Sequence, residues 1–190
     1  ITDQSFADLL TEPDLPTFDF ICLHGIWSWI NDENRRNIVK FCQQNLKVGG
    51  ILYISYNTCP GHNPMVPVRK LMLEFTETTL PKGAGNEQKI EAALSFIDLL
   101  QSKEPKYFEV NSTLKERINS LKEKPRNYIA HEYFNRDWDP MDITEIGTFF
   151  TEAKLSYVTS TDYIHQIRYV NFTSEQNEFL DGLGNDLFSH

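Results

Sequence analysis

The sequence predicts an α/β fold in which the C-terminal part of a Rossmann-like sheet carries a helical insertion. The first observation is a change of apolar period across residues 18–61, which indicates a strand, a helix and a second strand in succession. The second is a run of helical patterns across residues 64–135, too long for a simple connection between a strand and a helix. The third is composition, since 40% hydrophobic and 13% aromatic residues are typical of a folded globule.

The strand–helix–strand unit is the most informative stretch. Residues 18–23 are nearly all apolar, which is typical of a central parallel strand covered on both faces. A helix should follow from Asn31 or Asp32, both suitable caps, and Gly49-Gly50 should end it. Residues 51–56, β-branched and aromatic, then predict a second parallel strand. In such doubly wound sheets, ligands bind beyond the carboxyl ends of the strands.

The helical insertion and the C-terminal part follow. Helices are predicted over residues 64–80, 87–101 and 112–122, with Ser112 as the cap of the third. Asp142 and Glu145 form a capping-box pattern that opens a further helix. We expect that helix to be followed by a strand over residues 155–158, and a last helix over 175–183 to fray after its end. The predicted parts are residues 1–63 (second half of the Rossmann-like core), 64–135 (helical cap) and 136–190 (return to the sheet and C-terminal helical segment).

Three stretches carry a family resemblance. They read FDFI-LHG-WSW over residues 18–29, L-GG-LYISYNT-PG over residues 46–61, and YIAHEY over residues 128–133. They resemble class I S-adenosylmethionine-dependent methyltransferases with a methyltransferase regulatory domain, a group in which some bacterial members methylate lysines of outer-membrane proteins. That resemblance implies a Rossmann-like methyltransferase sheet with an acceptor cap. The expected glycine loop between a first strand and its helix is absent, so we expect a C-terminal part of a longer enzyme.

The resemblance implies S-adenosylmethionine as the cofactor. Asp8 is predicted to accept the exocyclic amine hydrogens of adenine, although a solvated loop aspartate is the alternative. His24 ends the first strand and suits the cofactor's methionine end or a general base, with a structural hydrogen bond as the alternative. Trp27 is the better channel candidate, and core packing is favoured for Trp29. The cofactor candidates are Ala7, Asp8, Leu9, His24, Gly25, Ile26 and Trp27.

Tyr56 and Asn57, at the exit of the second predicted strand, are the candidate catalytic residues. Methyl transfer to nitrogen needs a neutral amine aligned with the sulfonium, and a phenol and a carboxamide orient an amine without protonating it. The candidate acceptor-binding residues are Pro60, Gly61, Arg69 and His131, with a solvated helix position as the alternative for Arg69. His131-Glu132 resembles half of a zinc site, but no HExxH pattern completes it, so no metal is expected.

Charge and apolar patterning limit the partners. A net charge of −9 disfavours nucleic acid, and no apolar run approaches the length of a membrane span. The three cysteines indicate no disulfide framework, so we expect a cytoplasmic protein. Acidic residues at Glu87, Glu91 and Asp98 favour a basic peptide, hence a protein lysine, over a small-molecule acceptor. A nicotinamide-dependent oxidoreductase and a catalytically silent interaction module remain as alternatives, and the sequence leaves the oligomeric state open.

Overall fold

The computed structural model describes residues 1–183 as a mostly helical α/β chain with one small parallel sheet. Single-turn 3₁₀ segments cover Trp27–Trp29 and Tyr163–Gln166. The other elements are, in order, α1 (Phe6–Thr11), β1 (Phe18–Leu23), α2 (Asp32–Asn45), β2 (Leu46–Ile54), α3 (Met65–Thr79), α4 (Asn86–Gln101), α5 (Lys106–Val110), α6 (Ser112–Lys122), α7 (Arg126–Tyr133), α8 (Ile143–Thr151), α9 (Arg168–Asn171) and α10 (Ser174–Gly182).

The predicted strand–helix–strand unit is confirmed, but its second junction differs from the prediction. The helix ends at Asn45, and the chain passes directly into β2 at Leu46. Gly49-Gly50 therefore lies inside β2, where the pairing with β1 is irregular: Phe18 pairs with Leu46, whereas Phe20 already pairs with Ile51. The second glycine is required by close packing. A Cβ on Gly50 would lie 2.9 Å from the Lys47 carbonyl oxygen and 3.0 Å from that of Asp19.

The expected coverage of both sheet faces is not found within residues 1–183. Phe20 on β1 is 72% exposed and Ile51 on β2 is 53% exposed. The strand predicted over residues 155–158 is also wrong, since that segment has no regular secondary structure and Val158 is 80% exposed. A strand forms only where its backbone groups find a ladder partner. In the described part of the chain, the sheet consists of β1 and β2 alone.

Two separate apolar clusters stabilise the described chain. The cap core joins α3 to α7, and the sheet core joins β1 and α2 to α8. Both contain fully buried side chains, which are the positions where truncation costs most. The buried members of the cap core are Met65, Val68, Met72, Ile90, Ala93, Leu94, Ile97, Phe108, Leu114, Ile118, Leu121, Ile129 and Tyr133. Those of the sheet core are Leu23, Trp27, Ile38, Val39, Cys42, Met141, Ile146, Phe150 and Ala153.

The helix caps follow the sequence in most places. Asn31 caps α2 by accepting a hydrogen bond from the Asn34 amide at 3.0 Å. The capping box of Asp142 and Glu145 is confirmed at α8. Ser112 is not a cap, because it is already the first residue of α6.

The C-terminal helix is also found as predicted, whereas its expected fraying after Leu183 falls outside the described residues. Across residues 1–183, every helix is too short or too polar to cross a lipid bilayer.

Candidate functional site

The carboxyl ends of β1 and β2 lie side by side, as the parallel pairing requires. The Gly25 amide donates a hydrogen bond to Ser55 Oγ at 2.8 Å, and His24 Nδ1 lies 3.1 Å from the Tyr53 hydroxyl. Gly25 has a φ of +64°, and a Cβ on it would meet no atom within 4 Å. This edge therefore leaves open space beside a backbone that a ligand can approach closely.

Asn57, three residues beyond β2, is fixed by three different segments. Its amide donates to Oγ of the fully buried Ser28 at 2.8 Å, and its carbonyl oxygen accepts from the Met141 amide at 3.1 Å. Its side-chain Nδ2 donates to Glu132 Oε1 at 3.0 Å. Glu132 is on α7 and is only 7% exposed. The sheet edge and the helical cap are therefore joined by a hydrogen bond to a buried carboxylate.

These groups border a polar cavity of about 290 Å³ between the β2 exit and the cap, which we call the chamber. Its lining is rich in groups that donate or accept hydrogen bonds, and Leu121 is its one aliphatic member. The lining residues are Asn57, His62, Arg117, Ser120, Leu121, Lys124, Tyr128, Glu132 and Tyr133.

Burial and the charge of Arg117 determine the protonation states of two chamber residues, His62 and Tyr133. Arg117 Nη2 lies 2.8 Å from His62 Nδ1 and has only hydrogens to offer, so the imidazole nitrogen is the acceptor. Burial, followed by the Arg117 charge, lowers the pKa of His62 to about 4. Burial raises the pKa of Tyr133, although Arg117 opposes that shift. Near neutral pH, His62 is neutral and Tyr133 keeps its proton.

Tyr56, the other candidate catalytic residue, is half-buried against the sheet core. Burial raises its pKa, and the charges of Asp142 and Tyr157 act in the same direction. The phenol therefore stays protonated near neutral pH. It borders the same strand exit as Asn57 but does not line the chamber.

Trp27 lies within the sheet core and is fully buried. Its ring packs against Phe149 and Phe150 with centroids 5.3 and 5.0 Å away, and Nε1 donates to the Met141 sulfur at 3.3 Å. Ile26 packs at the edge of the same core. These contacts give Trp27 a packing role that the prediction of an open channel did not anticipate.

Of the acceptor-binding candidates, only Gly61 contacts a chamber residue: its carbonyl oxygen lies 3.5 Å from Arg117 Nη1. Pro60 is exposed in the same loop. The Arg69 guanidinium lies 4.8 Å from the centre of the Trp138 ring and donates to the carbonyl of Asn135. Burial lowers its pKa. These contacts anchor α3 to the segment after α7 and replace the solvated position considered as an alternative.

His131, the fourth acceptor-binding candidate, is exposed and stacks on Trp29 with centroids 5.4 Å apart. It lines an open cleft of about 620 Å³ between α4 and α7 and does not line the chamber. Trp29 is accordingly only partly buried.

Three of the cofactor candidates, Ala7, Asp8 and Leu9, lie on α1. The segment is a helix, and the Asp8 carboxylate closes a capping box with Ser5, accepting from Ser5 Oγ at 2.6 Å. Ala7 is exposed and Leu9 partly buried. The pattern S-x-x-D was the available sequence signal for this cap.

The acidic rim expected on the cap is partly neutralised. Glu91 forms an ion pair with Arg126 at 2.5 Å, and Asp98 forms one with Lys122. Glu87 borders the open cleft. The cap therefore presents less unpaired negative charge to a basic peptide than its sequence indicated.

Of the chamber lining, only Asn57 was predicted as a site residue, and Glu132, Arg117 and His62 are among the polar residues that the prediction missed. A helical period across residues 126–133 would have placed Glu132 on the buried face with Ile129 and Tyr133. No sequence signal pairs His62 with Arg117, which lies 55 positions away. Within residues 1–183, no three His, Cys, Asp or Glu side chains are grouped so as to hold a metal ion.

Comparison with known proteins finds a family that matches the C-terminal third of the chain. Residues 125–190 match the family described as the predicted methyltransferase regulatory domain. The uncharacterized protein sll1526 of Synechocystis is 42% identical over 172 residues, covering 90% of this chain and 33% of that protein. The uncharacterized protein RP789 of Rickettsia prowazekii is 28% identical over 184 residues, covering 90% and 32%. The chain thus spans about a third of the length of these relatives.

Solved structures share the fold. PKMT2 from Rickettsia typhi matches with a TM-score of 0.70 at 23% identity, covering 96% of this chain and 33% of PKMT2. Its complex with AdoHcy matches with a TM-score of 0.71 at 22% identity and the same coverage. Residues 125–190 are therefore similar to the predicted methyltransferase regulatory domain, and the chain shares its fold with a part of PKMT2.

Proposed function

We propose that the chain forms the acceptor side of an S-adenosylmethionine-dependent methyltransferase that methylates a nitrogen of a protein side chain, with lysine as the preferred acceptor. The observation that carries the proposal is the Asn57 carboxamide. It lies at the carboxyl end of the sheet, where ligands of such folds bind, and borders a polar chamber partly lined by the cap.

The cofactor proposal is supported at the strand ends. The space beside Gly25 is open, which lets a ligand approach its backbone closely, and His24 and Ser55 place polar groups next to it. A fold neighbour, PKMT2, has been solved with AdoHcy. When bound, S-adenosylmethionine supplies an activated methyl group on its sulfonium. In this proposal His24, Gly25 and Ile26 line the cofactor's approach, while Ala7, Asp8, Leu9 and Trp27 hold the surrounding structure.

The acceptor proposal follows from the chemistry of the chamber. A lysine amine attacks only after it loses its proton, and partial desolvation beside a cation favours the neutral form. Arg117 supplies that cation, and the protonated Tyr133 adds a hydroxyl that does not hold the amine charged. The protonated Tyr56 lies at the same strand exit, outside the chamber lining. Asn57 presents an amide, which orients an amine without taking a proton from it or giving one to it.

The test incubates the full-length protein containing this chain with methyl-labelled S-adenosylmethionine and a lysate of its source, followed by digestion and mass spectrometry. We expect label on lysine-containing peptides, and loss of that label when Asn57→Ala replaces the wild type. Label confined to small molecules would contradict the protein acceptor. Failure of the full-length protein to bind S-adenosylmethionine in a calorimetric titration would contradict the methyltransferase itself.

A further inference from the structure

We infer that Glu132 is a positioning residue for the acceptor, because it fixes the orientation of the Asn57 carboxamide. This inference rests on the proposed function, and it extends that function to a residue of the regulatory segment. Glu132 lies within the stretch that matches the methyltransferase regulatory domain, whereas Asn57 lies at the end of the sheet.

The orientation of the Asn57 amide follows from the chemistry of its partner. The Asn57 Nδ2 donates to Glu132 Oε1 at 3.0 Å, so the NH₂ of Asn57 faces the carboxyl group and Oδ1 faces away from it. The Asn57 backbone cannot rotate to change this, because Ser28 and Met141 hold its amide and its carbonyl. Asn57 Oδ1 takes no hydrogen bond from any described residue and is left for a ligand in the chamber.

Packing alone does not explain why a glutamate occupies position 132. Its neighbours on the buried side of α7, Ile129 and Tyr133, belong to the cap core. A carboxylate that is 7% exposed is costly at such a place unless it is paired or hydrogen-bonded. Its one hydrogen bond within residues 1–183 is the one from Asn57.

The orientation decides what the acceptor amine meets. A neutral amine has N–H groups and one lone pair, and only the lone pair attacks the methyl carbon. Asn57 Oδ1 accepts an N–H and leaves the lone pair free. A reversed amide would point its own NH₂ at the amine and would compete for that lone pair. Glu132 excludes the reversed orientation.

The test is a two-by-two set of variants in the full-length protein: wild type, Glu132→Gln, Asn57→Asp and the double variant. Asn57→Asp alone places two carboxylates about 3 Å apart, and we expect kcat to fall about tenfold to a hundredfold. In the double variant, the introduced glutamine can donate to the introduced aspartate and restore one hydrogen bond with its direction reversed. We expect Glu132→Gln to slow the wild type but to recover part of the activity of Asn57→Asp.

Glu132→Gln is thus expected to lower kcat in the wild type and to raise it in Asn57→Asp, and these opposite effects distinguish a positioning role from a structural one. If Glu132→Gln lowers kcat alike in both backgrounds, or changes KM and kcat of neither, the inference is wrong while the methyltransferase stands.

A second measurement does not need activity. The Asn57 side-chain NH₂ resonances, assigned by their loss in Asn57→Asp, should shift in Glu132→Gln and stay in place in the exposed control Glu123→Gln. Unshifted resonances in Glu132→Gln would overturn the inference even if the wild type proved inactive, and an inactive wild type with shifted resonances would remove the proposed function only.

Discussion

Arg35 and Asp139 form an ion pair at 3.0 Å although 104 positions separate them in the sequence. Arg35 is 3% exposed, and the same guanidinium contacts Asp32 at 2.8 Å and donates from Nε to the Trp27 carbonyl at 3.2 Å. The Arg35 side chain thus connects α2 to the 3₁₀ segment that follows β1 and to the segment before α8.

Removing this link should destabilise the protein. We expect Arg35→Ala to lower the free energy of unfolding by about 1–3 kcal/mol, because three partners lose a buried hydrogen-bond donor. Arg36→Ala is the matched control, since Arg36 is exposed on the same helix. Urea unfolding of both variants measures the difference, and equal midpoints would show that the ion pair contributes nothing.

His62 should make stability depend on pH. Its pKa is lowered to about 4 in the folded protein from an ordinary value near 6.5. The unfolded chain therefore binds a proton more readily, so the stabilising contribution is complete above about pH 6.5 and is lost as pH falls toward 4. Unfolding free energies at pH 7.5 and 4.5 should differ less in His62→Gln than in the wild type. The same difference in both proteins would contradict the shift.

The cap core should be sensitive to truncation. Met72 is 1% exposed on α3, whereas its neighbour Leu71 is 37% exposed. We expect Met72→Ala to cost about 2–5 kcal/mol, because it removes buried atoms and leaves a cavity. Leu71→Ala should cost less than about 1 kcal/mol. Thermal and urea unfolding of the pair test this, and similar losses would mean that the two faces of α3 are not as assigned.

Two glycine substitutions should change stability in opposite directions. Gly50→Ala puts a Cβ within 3.0 Å of two backbone oxygens, so a loss of about 1–3 kcal/mol is expected. Gly147 lies in α8 with open space around its missing Cβ. Gly147→Ala should therefore stabilise by about 0.5–1 kcal/mol, because alanine loses less backbone entropy in a helix. A neutral Gly50→Ala would mean that the β2 irregularity relaxes freely.

Asp8 can be tested for a role beyond its cap. Ser5→Ala removes the capping hydroxyl, whereas Asp8→Ala also removes the carboxylate. Because Asp8 acts as a helix cap in the proposed arrangement, both variants should bind S-adenosylmethionine in the full-length protein with the same affinity. A further loss of about 1–3 kcal/mol in Asp8→Ala alone would instead assign the carboxylate to the cofactor. Calorimetric titration gives both affinities. Equal affinities would leave Asp8 as a helix cap.

The sequence by itself determined the local elements. The strand at residues 18–23, the helix capped by Asn31 and the capping box at Asp142 all follow from patterns within a few positions. Such patterns are readable because apolar periods and caps act between near neighbours. The rule for parallel sheets then placed Asn57 at the ligand edge. The wrong placement of Gly49-Gly50 has the same origin, since a glycine pair signals a helix end as well as a bulged strand.

Only the tertiary structure decided which side chains share the chamber. Asn57 meets Glu132 across 75 positions, and His62 meets Arg117 across 55. The tertiary structure also buries Trp27 in the sheet core and places the Arg69 guanidinium over the Trp138 ring. No periodicity encodes these pairs, because they arise when the cap folds back over the strand ends and buried polar groups must find partners. Buried polar groups find these partners in the folded structure, and the distance between two segments along the chain does not indicate which groups will pair.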